Sequence, residues 1–386
     1  MRTRTVLVTG GAGYIGSHAC VALLADGHRV ITLDNHANST AGVIDKIEKI
    51  TGKNVIHICG DVRDEKLLVH TMTAHGCDAV MHFAGLKAVG ESSRKPLDYH
   101  GNNVGGTLAV MKAMEVCGVD TLLFSSSATV YGSPQSLPLG ESHRLAPDSP
   151  YGKTKWIAEE MIRDWHQSRP DLKVAILRYF NPIGAHESGL IGEDPFGDPN
   201  NLMPYLTQVA TGRRPYLTVH GDDYDTPDGT GVRDYIHVVD LVQGHIAALH
   251  YLDSEAKTYG VGEMHLRELL CLNLGTGKGC SVFELMAAFE AVSGLKICYR
   301  IGPRRPGDLG SYYADSSRAK SVLGWKPTKT VVQMCKDSWN FAQPMSKANA
   351  QSITSPDPLP IKASSLEHVP PSCTRGLRPI GTIGGR

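Results

Sequence analysis

Tyr151 and Lys155 lie four residues apart, a spacing that places two side chains on the same face of a helix. Tyrosine is a poor base at neutral pH because its ordinary pKa is about 10. A nearby ammonium stabilises the phenolate, so we expect Lys155 to lower the pKa of Tyr151 and make it a general base. The pair alone is weak support, because such pairs are common on ordinary helices.

A run of hydroxyl side chains supports the same chemistry. Ser125, Ser126 and Ser127 follow the apolar residues 122–124 directly. In a parallel sheet these serines would end a strand at its carboxyl edge, where such sheets bind ligands. We expect Ser127 to hydrogen-bond the hydroxyl from which Tyr151 takes a proton.

A glycine-rich turn predicts the cofactor of this chemistry. Gly10, Gly13 and Gly16 follow the first apolar run and open an amphipathic segment, as in a dinucleotide-binding turn. Gly10 and Gly13 bring backbone N–H groups to a pyrophosphate, and Gly16 allows close helix packing. Asp34 ends the next apolar run, where a carboxylate accepts hydrogen bonds from the adenine ribose. We therefore predict NAD rather than NADP, and its positive nicotinamide would add to the cation beside the phenol.

The chain alternates short apolar runs with longer amphipathic stretches up to about residue 181. This alternation is typical of an α/β fold in which helices cover both faces of a doubly wound parallel sheet. Strands are predicted at residues 5–9, 29–33, 55–58, 79–83, 122–125 and 174–177, and helices at 17–26, 203–211 and 239–251.

Three regions follow from this pattern. We predict a Rossmann-type NAD-binding domain at residues 1–181 and a smaller, mainly substrate-binding domain at 182–342. Residues 343–386 are rich in Pro, Ser and Gly and lack an apolar period, so we predict a disordered tail.

Composition narrows the class of partner. Lys plus Arg and Asp plus Glu each total 39, so we expect neither nucleic acid nor a membrane surface as a partner. No apolar stretch approaches the ~20 residues that cross a bilayer, and there is no signal-peptide pattern at the start. The nine cysteines and 17 histidines show no metal-ligand spacing. We expect reduced thiols, no metal site and a cytoplasmic protein.

Longer strings carry a resemblance to a known family. Gly10-x-x-Gly13-x-x-Gly16 with Tyr151-x-x-x-Lys155 resembles the extended short-chain dehydrogenase/reductase superfamily. Strings at residues 9–18, 82–92, 125–132, 177–182, 200–205 and 229–237 are similar to its UDP-glucose 4-epimerase family. The resemblance spans residues 5–341. It implies a homodimer that interconverts UDP-galactose and UDP-glucose through a 4-keto sugar.

The resemblance also implies a role for each group. Tyr151 would take the proton of the sugar 4-hydroxyl, held by Ser127, while hydride passes from C4 to the nicotinamide. The ketose would then turn about its diphosphate and receive the hydride on its other face. Besides the three glycines, Ser127, Tyr151 and Lys155, the cofactor would contact Tyr14, Ile15, Asp34, Asn35, His36, Ala37, Asn38, Ser39, Asp61, Val62, Phe83, Ala84, Gly85, Leu86, Lys87, Asn103 and Phe180.

A second set would bind the nucleotide sugar. Arg233 and Arg305 suit a diphosphate, since guanidinium groups make forked hydrogen bonds to it. The ring of Tyr312 would leave little room for N-acetylated sugars. Two positions depart from the family: His220 replaces an aromatic residue near uracil, and Gly105 replaces a common asparagine. Besides Ser127 and Tyr151, the set comprises Asn181, Asn201, Leu202, Thr218, Val219, His220, Arg233, Tyr235, Arg305, Asp308 and Tyr312.

Two other functions stay open at this point. A nucleotide-sugar 4,6-dehydratase or decarboxylase begins with the same oxidation at C4. Those relatives follow the active-site hydroxyl with an Asp-Glu pair, whereas Ala128 and Thr129 follow Ser127 here. A non-catalytic NAD-binding regulator is the other alternative, and the intact Tyr151, Lys155 and Ser127 argue against it.

Overall fold

The structure is a computed structural model that describes residues 2–254, 258–261, 264–267, 269–305 and 307–352 of the 386-residue chain. No helix in those ranges is long and apolar enough to cross a membrane.

A seven-stranded sheet, parallel throughout, forms the centre of the fold. Its strands are β1 (Thr5–Thr9), β2 (Arg29–Asp34), β3 (Ile56–Cys59), β4 (Ala79–His82), β5 (Thr121–Ser127), β6 (Lys173–Tyr179) and β13 (Leu270–Leu274). Their order across the sheet is β13-β6-β5-β4-β1-β2-β3. The predicted doubly wound Rossmann-type fold and its six predicted strands are confirmed.

Alternate strand residues pack against two different helix layers. In β1, Val6 and Val8 belong to one buried cluster and Leu7 to the other. Both faces of the strands are covered, which explains their continuous apolar character. One layer contains α1 (Tyr14–Ala25), α2 (Gly42–Thr51) and α9 (Val238–Asp253), and the other contains α3 (Glu65–His75), α6 (Gly105–Cys117) and α7 (Pro150–Ser168).

Short elements connect these layers. Between β4 and α6 the chain forms α4 (Val89–Arg94), α5 (Pro96–Tyr99) and a π-helical turn at His100–Val104. A 3-10 turn at Ala128–Tyr131 follows β5.

Residues between Ile183 and Cys335 form a third buried cluster, which includes Leu206, Leu217, Leu285, Phe289 and Met334. Besides α9, the helices from residue 181 onward are α8 (Leu202–Ala210), α10 (Val282–Ser293), α11 (Ser317–Leu323) and α12 (Val331–Ser352). Residues of α8, α10 and α12 belong to the third cluster, whereas α11 packs against α9 and β13. Besides β13, the strands from residue 181 onward are β7 (Asn181–Ile183), β8 (Leu217–His220), β9 (Val232–Arg233), β10 (Tyr235–His237), β11 (Thr258–Val261), β12 (Met264–Arg267), β14 (Cys280–Ser281), β15 (Tyr299–Gly302) and β16 (Ser311–Tyr312). They pair as β7 with β10, β8 with β15, β11 with β12, and β9 with both β14 and β16.

Two later elements return to the central sheet. The missed strand β13 pairs with β6, with Leu270 opposite Ala175, and α9 packs against α1. The chain beyond residue 182 therefore contributes to the doubly wound layers as well as to the third cluster. The three predicted helices correspond to α1, α8 and α9.

The tail predicted from residue 343 begins inside a helix. Helix α12 is described as far as Ser352, and the disorder predicted for residues 343–386 stays a prediction. Residues 353–386 lie outside the described residues.

The parallel topology brings five neighbouring strand ends to one edge of the sheet. These last residues are Thr9, Asp34, His82, Ser127 and Tyr179. Predicted cofactor and catalytic residues thus meet at the carboxyl edge, where doubly wound folds bind ligands.

Candidate active site

A cleft of about 440 Å³ opens at the carboxyl edge of the sheet. Residues predicted for the cofactor and for the sugar both contribute to its walls. The predicted residues that line it are Gly10, Gly13, Tyr14, Ile15, Gly16, Asp34, Asn35, Ala37, Asn38, Ser39, Val62, Phe83, Ala84, Gly85, Leu86, Lys87, Ser127, Tyr151, Lys155, Phe180, Asn181 and Asn201.

The glycine turn packs too tightly for side chains. Gly10 adopts φ +71°, and a Cβ atom there would lie 2.8 Å from the backbone nitrogen of Ala84. A Cβ on Gly16 would lie 2.0 Å from the carbonyl oxygen of Gly10. Helix α1 begins directly after Gly13, so its first N–H groups, which have no partner inside the helix, lie at the cleft. This cradle fits a pyrophosphate.

Asp34 fixes the loop beside that turn. Its Oδ2 accepts from the N–H of Ala12 at 3.0 Å, and its Oδ1 accepts from the N–H of His36 and the hydroxyl of Ser39, both at 2.9 Å. The carboxylate is buried yet lines the cleft. It is therefore held in place at the position where a ribose would lie.

Two predicted cofactor residues turn their side chains to protein partners and do not line the cleft. The imidazole of His36 contacts Nε2 of His57 at 2.9 Å. Asp61 accepts two side-chain hydrogen bonds from Arg63, which lower its pKa to about 2.

Asn103 likewise acts within the protein. Its Oδ1 accepts from the N–H of Leu86 at 2.8 Å, and its Nδ2 donates to the carbonyl of Leu86 at 2.9 Å and to Thr154 at 3.0 Å. These bonds attach the loop after β4, which lines the cleft, to helix α7.

The predicted catalytic residues meet in the cleft. Ser127 ends β5, and its Oγ accepts hydrogen bonds from the backbone and hydroxyl of Thr129 at 3.2 and 2.9 Å. Helix α7 begins at Pro150, capped by Ser149, so Tyr151 and Lys155 lie one turn apart in its first two turns. The four-residue spacing therefore places both side chains on the same face of the helix, as predicted.

Burial moves both ionisable groups toward their neutral forms. It raises the pKa of Tyr151, while a hydrogen bond with Ser127 lowers it. Burial lowers the pKa of Lys155 to about 8, against the attraction of Glu159. The Lys155 ammonium donates to the carbonyl of Ser125 at 2.6 Å and lies 5.0 Å from the Phe124 ring centroid. The protein alone thus gives Tyr151 a raised pKa, and further positive charge is needed to lower it.

A buried polar network lies behind the catalytic residues. Glu159, one turn after Lys155, accepts from Nε and Nη2 of Arg178 at 2.9 and 2.6 Å and from the hydroxyl of Ser126. Arg178 also donates to Tyr131 at 3.0 Å. The sequence analysis missed this network, although a charged Arg178 inside an apolar strand was a usable signal.

The predicted sugar side begins next to these residues. Asn181 on β7 pairs with Tyr235 on β10, and Arg233 on β9 pairs with Tyr312 on β16. The Tyr312 hydroxyl donates to the carbonyl of Ala128 at 2.6 Å, directly after Ser127. The ring of Tyr312 also lies 5.9 Å from that of Phe180.

The predicted diphosphate arginines cluster around one carboxylate. Arg305 donates to Asp308 at 2.7 and 3.2 Å, and Nη2 of Arg233 lies 4.0 Å from the same carboxylate. His220 contacts the carbonyl of Pro303 at 3.2 Å. Thr218, Val219 and His220 form part of β8, and Leu202 begins α8. Four residues of the predicted sugar set line the large cleft, namely Ser127, Tyr151, Asn181 and Asn201, and the others do not.

Glu193 is among the cleft residues that the sequence analysis did not predict. It accepts from Nζ of Lys87 at 2.6 Å and from Nδ2 of Asn201 at 2.8 Å. No sequence motif marks it, and its charged partner Lys87 lies far away in the sequence.

A cluster of metal-ligand type lies at the opposite edge of the sheet. Nε2 of His28 and of His250 lie 2.9 and 2.6 Å from one oxygen of Asp26. The backbone N–H of Arg4 donates to Nδ1 of His28, so the proton of that neutral ring is on Nε2. This tautomer puts a proton on Nε2, which lies near Asp26, and leaves that nitrogen without the lone pair that a metal requires.

Comparisons with known proteins identify a family model and several relatives that this chain resembles. A family model described as GDP-mannose 4,6 dehydratase matches residues 7–338. "UDP-glucose 4-epimerase 1" of Oryza sativa subsp. japonica is 52% identical over 342 residues, covering 88% of this chain and 94% of the relative. The UDP-glucose 4-epimerase of Bacillus subtilis is 49% identical over 338 residues, with 87% and 96% covered.

Solved structures show the same likeness. A UDP-glucose 4-epimerase from Stenotrophomonas maltophila, with bound NAD and formylated UDP-arabinopyranose, is 48% identical with a TM-score of 0.85. The match covers 89% of this chain and 99% of the chain in that structure. The Bifidobacterium longum enzyme, in complex with NAD+ and UDP, is 48% identical with a TM-score of 0.82, covering 88% and 98%.

The packing at Gly16 generates a prediction. Gly16→Ala should lower the free energy of unfolding by about 1–3 kcal/mol, because its methyl group overlaps the Gly10 carbonyl. Gly105→Ala is the matched control, since a Cβ there meets no atom within 4 Å and the backbone is helical. It should raise stability by about 0.4–1 kcal/mol. Urea denaturation measures both, and equal midpoints would contradict this account.

Proposed function

The chain belongs to the family described as GDP-mannose 4,6 dehydratase and, within the extended short-chain dehydrogenases/reductases, to the UDP-glucose 4-epimerases, and from this premise we propose how its residues work. It is an isomerase that interconverts UDP-galactose and UDP-glucose with NAD as cofactor. The observation that carries our residue-level proposal is the meeting of Tyr151, Lys155 and Ser127 in one cleft with the glycine turn.

We propose that the first part of the chain, residues 1–181, mainly holds NAD. The turn at Gly10, Gly13 and Gly16 would bind its pyrophosphate, and Asp34 its adenine ribose. His36, Asp61 and Asn103 would act indirectly, since their side chains fix the loops that line the cleft. When bound, this cofactor would supply the hydride chemistry at C4 of the sugar, which no side chain can supply.

Tyr151 would exchange the proton of the sugar 4-hydroxyl. Its pKa is raised by burial, so the phenolate depends on positive charge nearby. Lys155, with a pKa of about 8, is mostly protonated at neutral pH and supplies part of that charge. Ser127 touches Tyr151 and would hold the hydroxyl that loses its proton.

Residues 182–342 would mainly hold the nucleotide sugar. Arg233 and Arg305 would bind its diphosphate by exchanging their present partner, Asp308, for phosphate oxygens. Asn181 and Tyr312 lie between that cluster and Ser127, so the hexose would lie beside them. Leu202, Thr218, Val219, His220 and Tyr235 complete the proposed set together with Asn201.

The nearest rival is a 4,6-dehydratase, whose name the family model carries. A dehydratase needs a general acid beside the active-site hydroxyl. The two residues after Ser127 are Ala128, whose carbonyl accepts from Tyr312, and Thr129, whose hydroxyl donates to Ser127. Neither is an acid, so return of the hydride is favoured over elimination of water.

Product analysis tests the function directly. We expect purified protein to convert UDP-galactose into UDP-glucose without accumulating NADH. Chromatography of the nucleotide sugars with absorbance at 340 nm measures both. A keto-deoxy sugar would instead identify a dehydratase, and an unchanged substrate would identify a non-catalytic NAD-binding regulator.

Removal of one hydroxyl tests the proposed base. Tyr151→Phe should retain bound NAD but lower kcat by about 10²–10⁴-fold, the usual contribution of a general base. Tyr299→Phe is the control, because that tyrosine is 48% exposed on β15. Steady-state rates and cofactor content are compared. A Tyr151→Phe rate close to that of the control would remove Tyr151 from this role.

We also propose a homodimer in the cytoplasm. The eight cysteines of the described residues are all free thiols, as is usual in a reducing compartment. Large apolar side chains are exposed on four successive helices, α4 to α7, which is typical of an association surface. They are Val89, Leu97, Leu108, Val116 and Trp156.

Charge on these helices should separate the proposed dimer. We expect Leu108→Glu with Val116→Glu to shift the mass measured by light scattering toward that of one chain, 41.7 kDa. The two residues are 42% and 68% exposed, so the change leaves the core intact. Val332→Glu, 57% exposed on α12, is the control and should leave the dimer unchanged. A wild-type mass of one chain would contradict the dimer itself.

A further inference from the structure

Glu193 joins the two sides of the cleft through one oxygen. Its Oε1 accepts from Nζ of Lys87 at 2.6 Å and from Nδ2 of Asn201 at 2.8 Å. Lys87 follows β4 on the proposed cofactor side, and Asn201 precedes α8 on the proposed sugar side. The Glu193 side chain is only 8% exposed. This one oxygen atom therefore links Lys87 on the proposed cofactor side to Asn201 on the proposed sugar side.

Lys87 and Glu193 form an ion pair. The other oxygen of Glu193, Oε2, is buried and has no hydrogen-bond partner among the described residues. A buried carboxylate with one free oxygen is costly unless a cation compensates its charge. The Lys87 ammonium does so and lies 5.9 Å from the ring centroid of Tyr14, at the start of α1. Burial, and to a lesser extent the charge of Glu193, raise the pKa of the Tyr14 phenol, so that charge lies beside the dinucleotide turn.

The segment that carries Glu193 spans the cleft. All seven residues from 190 to 196 line it. At one end the N–H of Phe196 donates to Oδ1 of Asn38 at 3.0 Å, on the loop after β2. Near the other end Gly192 packs on Phe341 so closely that a Cβ would lie 2.5 Å from the ring. Between these fixed points, Glu193 makes the contact that reaches across the cleft.

We propose that Glu193 is a positioning residue that couples retention of the cofactor to binding of the nucleotide sugar. It acts through Lys87 and Asn201 and does not touch the reacting atoms. Losing it frees the Lys87 ammonium on one side and the Asn201 amide on the other. This inference rests on the proposed function, but cofactor release can be measured without any substrate.

Two substitutions of Glu193 test the coupling. Glu193→Ala removes the acceptor, so KM for UDP-galactose and the rate of NAD release should each rise roughly tenfold, as expected for one charge-assisted hydrogen bond. The value of kcat should stay within about twofold, since the interaction is the same in ground and transition states. Glu193→Gln keeps an Oε1 acceptor for both donors and should recover most of the loss.

Glu65→Gln is the matched control. That carboxylate is 46% exposed on α3 and faces Lys112 at 3.7 Å, so all three quantities should match wild type. Wild-type KM and NAD release in Glu193→Ala would overturn the proposal. A fall in kcat with KM unchanged would also overturn it, because Glu193 would then act on the chemistry.

A double-mutant cycle covers the case in which Glu193→Ala does not fold. Lys87→Met, Glu193→Met, which keeps the side-chain volume but has no acceptor, and the double variant are compared by chromatographic assay of the NAD released into a filtrate. If the two residues act as one unit, the double variant should release NAD within about twofold of Lys87→Met alone. Fully additive effects would overturn the coupling. A wild-type protein that binds and releases NAD but has no activity would contradict the proposed function. The comparison of NAD release among the variants would still test the coupling in that case.

Discussion

The buried ion pair between Glu159 and Arg178 is the interaction on which the catalytic geometry depends. Both side chains are at most 1% exposed, and two parallel hydrogen bonds join them. Such a pair costs desolvation energy and is stable only when its hydrogen bonds are complete. Here Ser126, Tyr131 and the carbonyl of Glu141 supply further partners. The pair thereby fixes helix α7 against strands β5 and β6.

That constraint sets the electrostatics of the cleft. Glu159 lies one turn after Lys155 and opposes the loss of its charge, so the pKa of Lys155 stops at about 8. The Lys155 ammonium donates to the carbonyl of Ser125, while burial keeps the pKa of Tyr151 above its ordinary value. The sequence analysis expected Lys155 and the nicotinamide together to lower the pKa of Tyr151. In the structure burial raises that pKa more than the hydrogen bond with Ser127 lowers it, so the positive charge of the nicotinamide would be needed to form the phenolate.

Local patterns predicted the parts of the fold that depend on neighbours in sequence. The strands from β1 to β6 and the turn at Gly10 are encoded by short apolar runs and glycine spacing. Strand β13 was missed because the alternating pattern was followed only to residue 181, whereas β13 joins the sheet from much later in the chain. Glu193 was missed because its ion pair with Lys87 joins residues that are distant in sequence. Roles at single residues, such as His36, depended on side-chain directions that spacing does not encode.

The late position of β13 in the chain has a consequence for biosynthesis. Strand β6 ends at Tyr179, but the strand that covers its free edge ends only at Leu274. At about 5–20 residues per second, a ribosome needs on the order of ten seconds to add the missing stretch. During that time the nascent sheet carries unpaired N–H and C=O groups along β6, a template for pairing with other chains. Chaperone occupancy on the growing polypeptide should therefore be greatest in this interval.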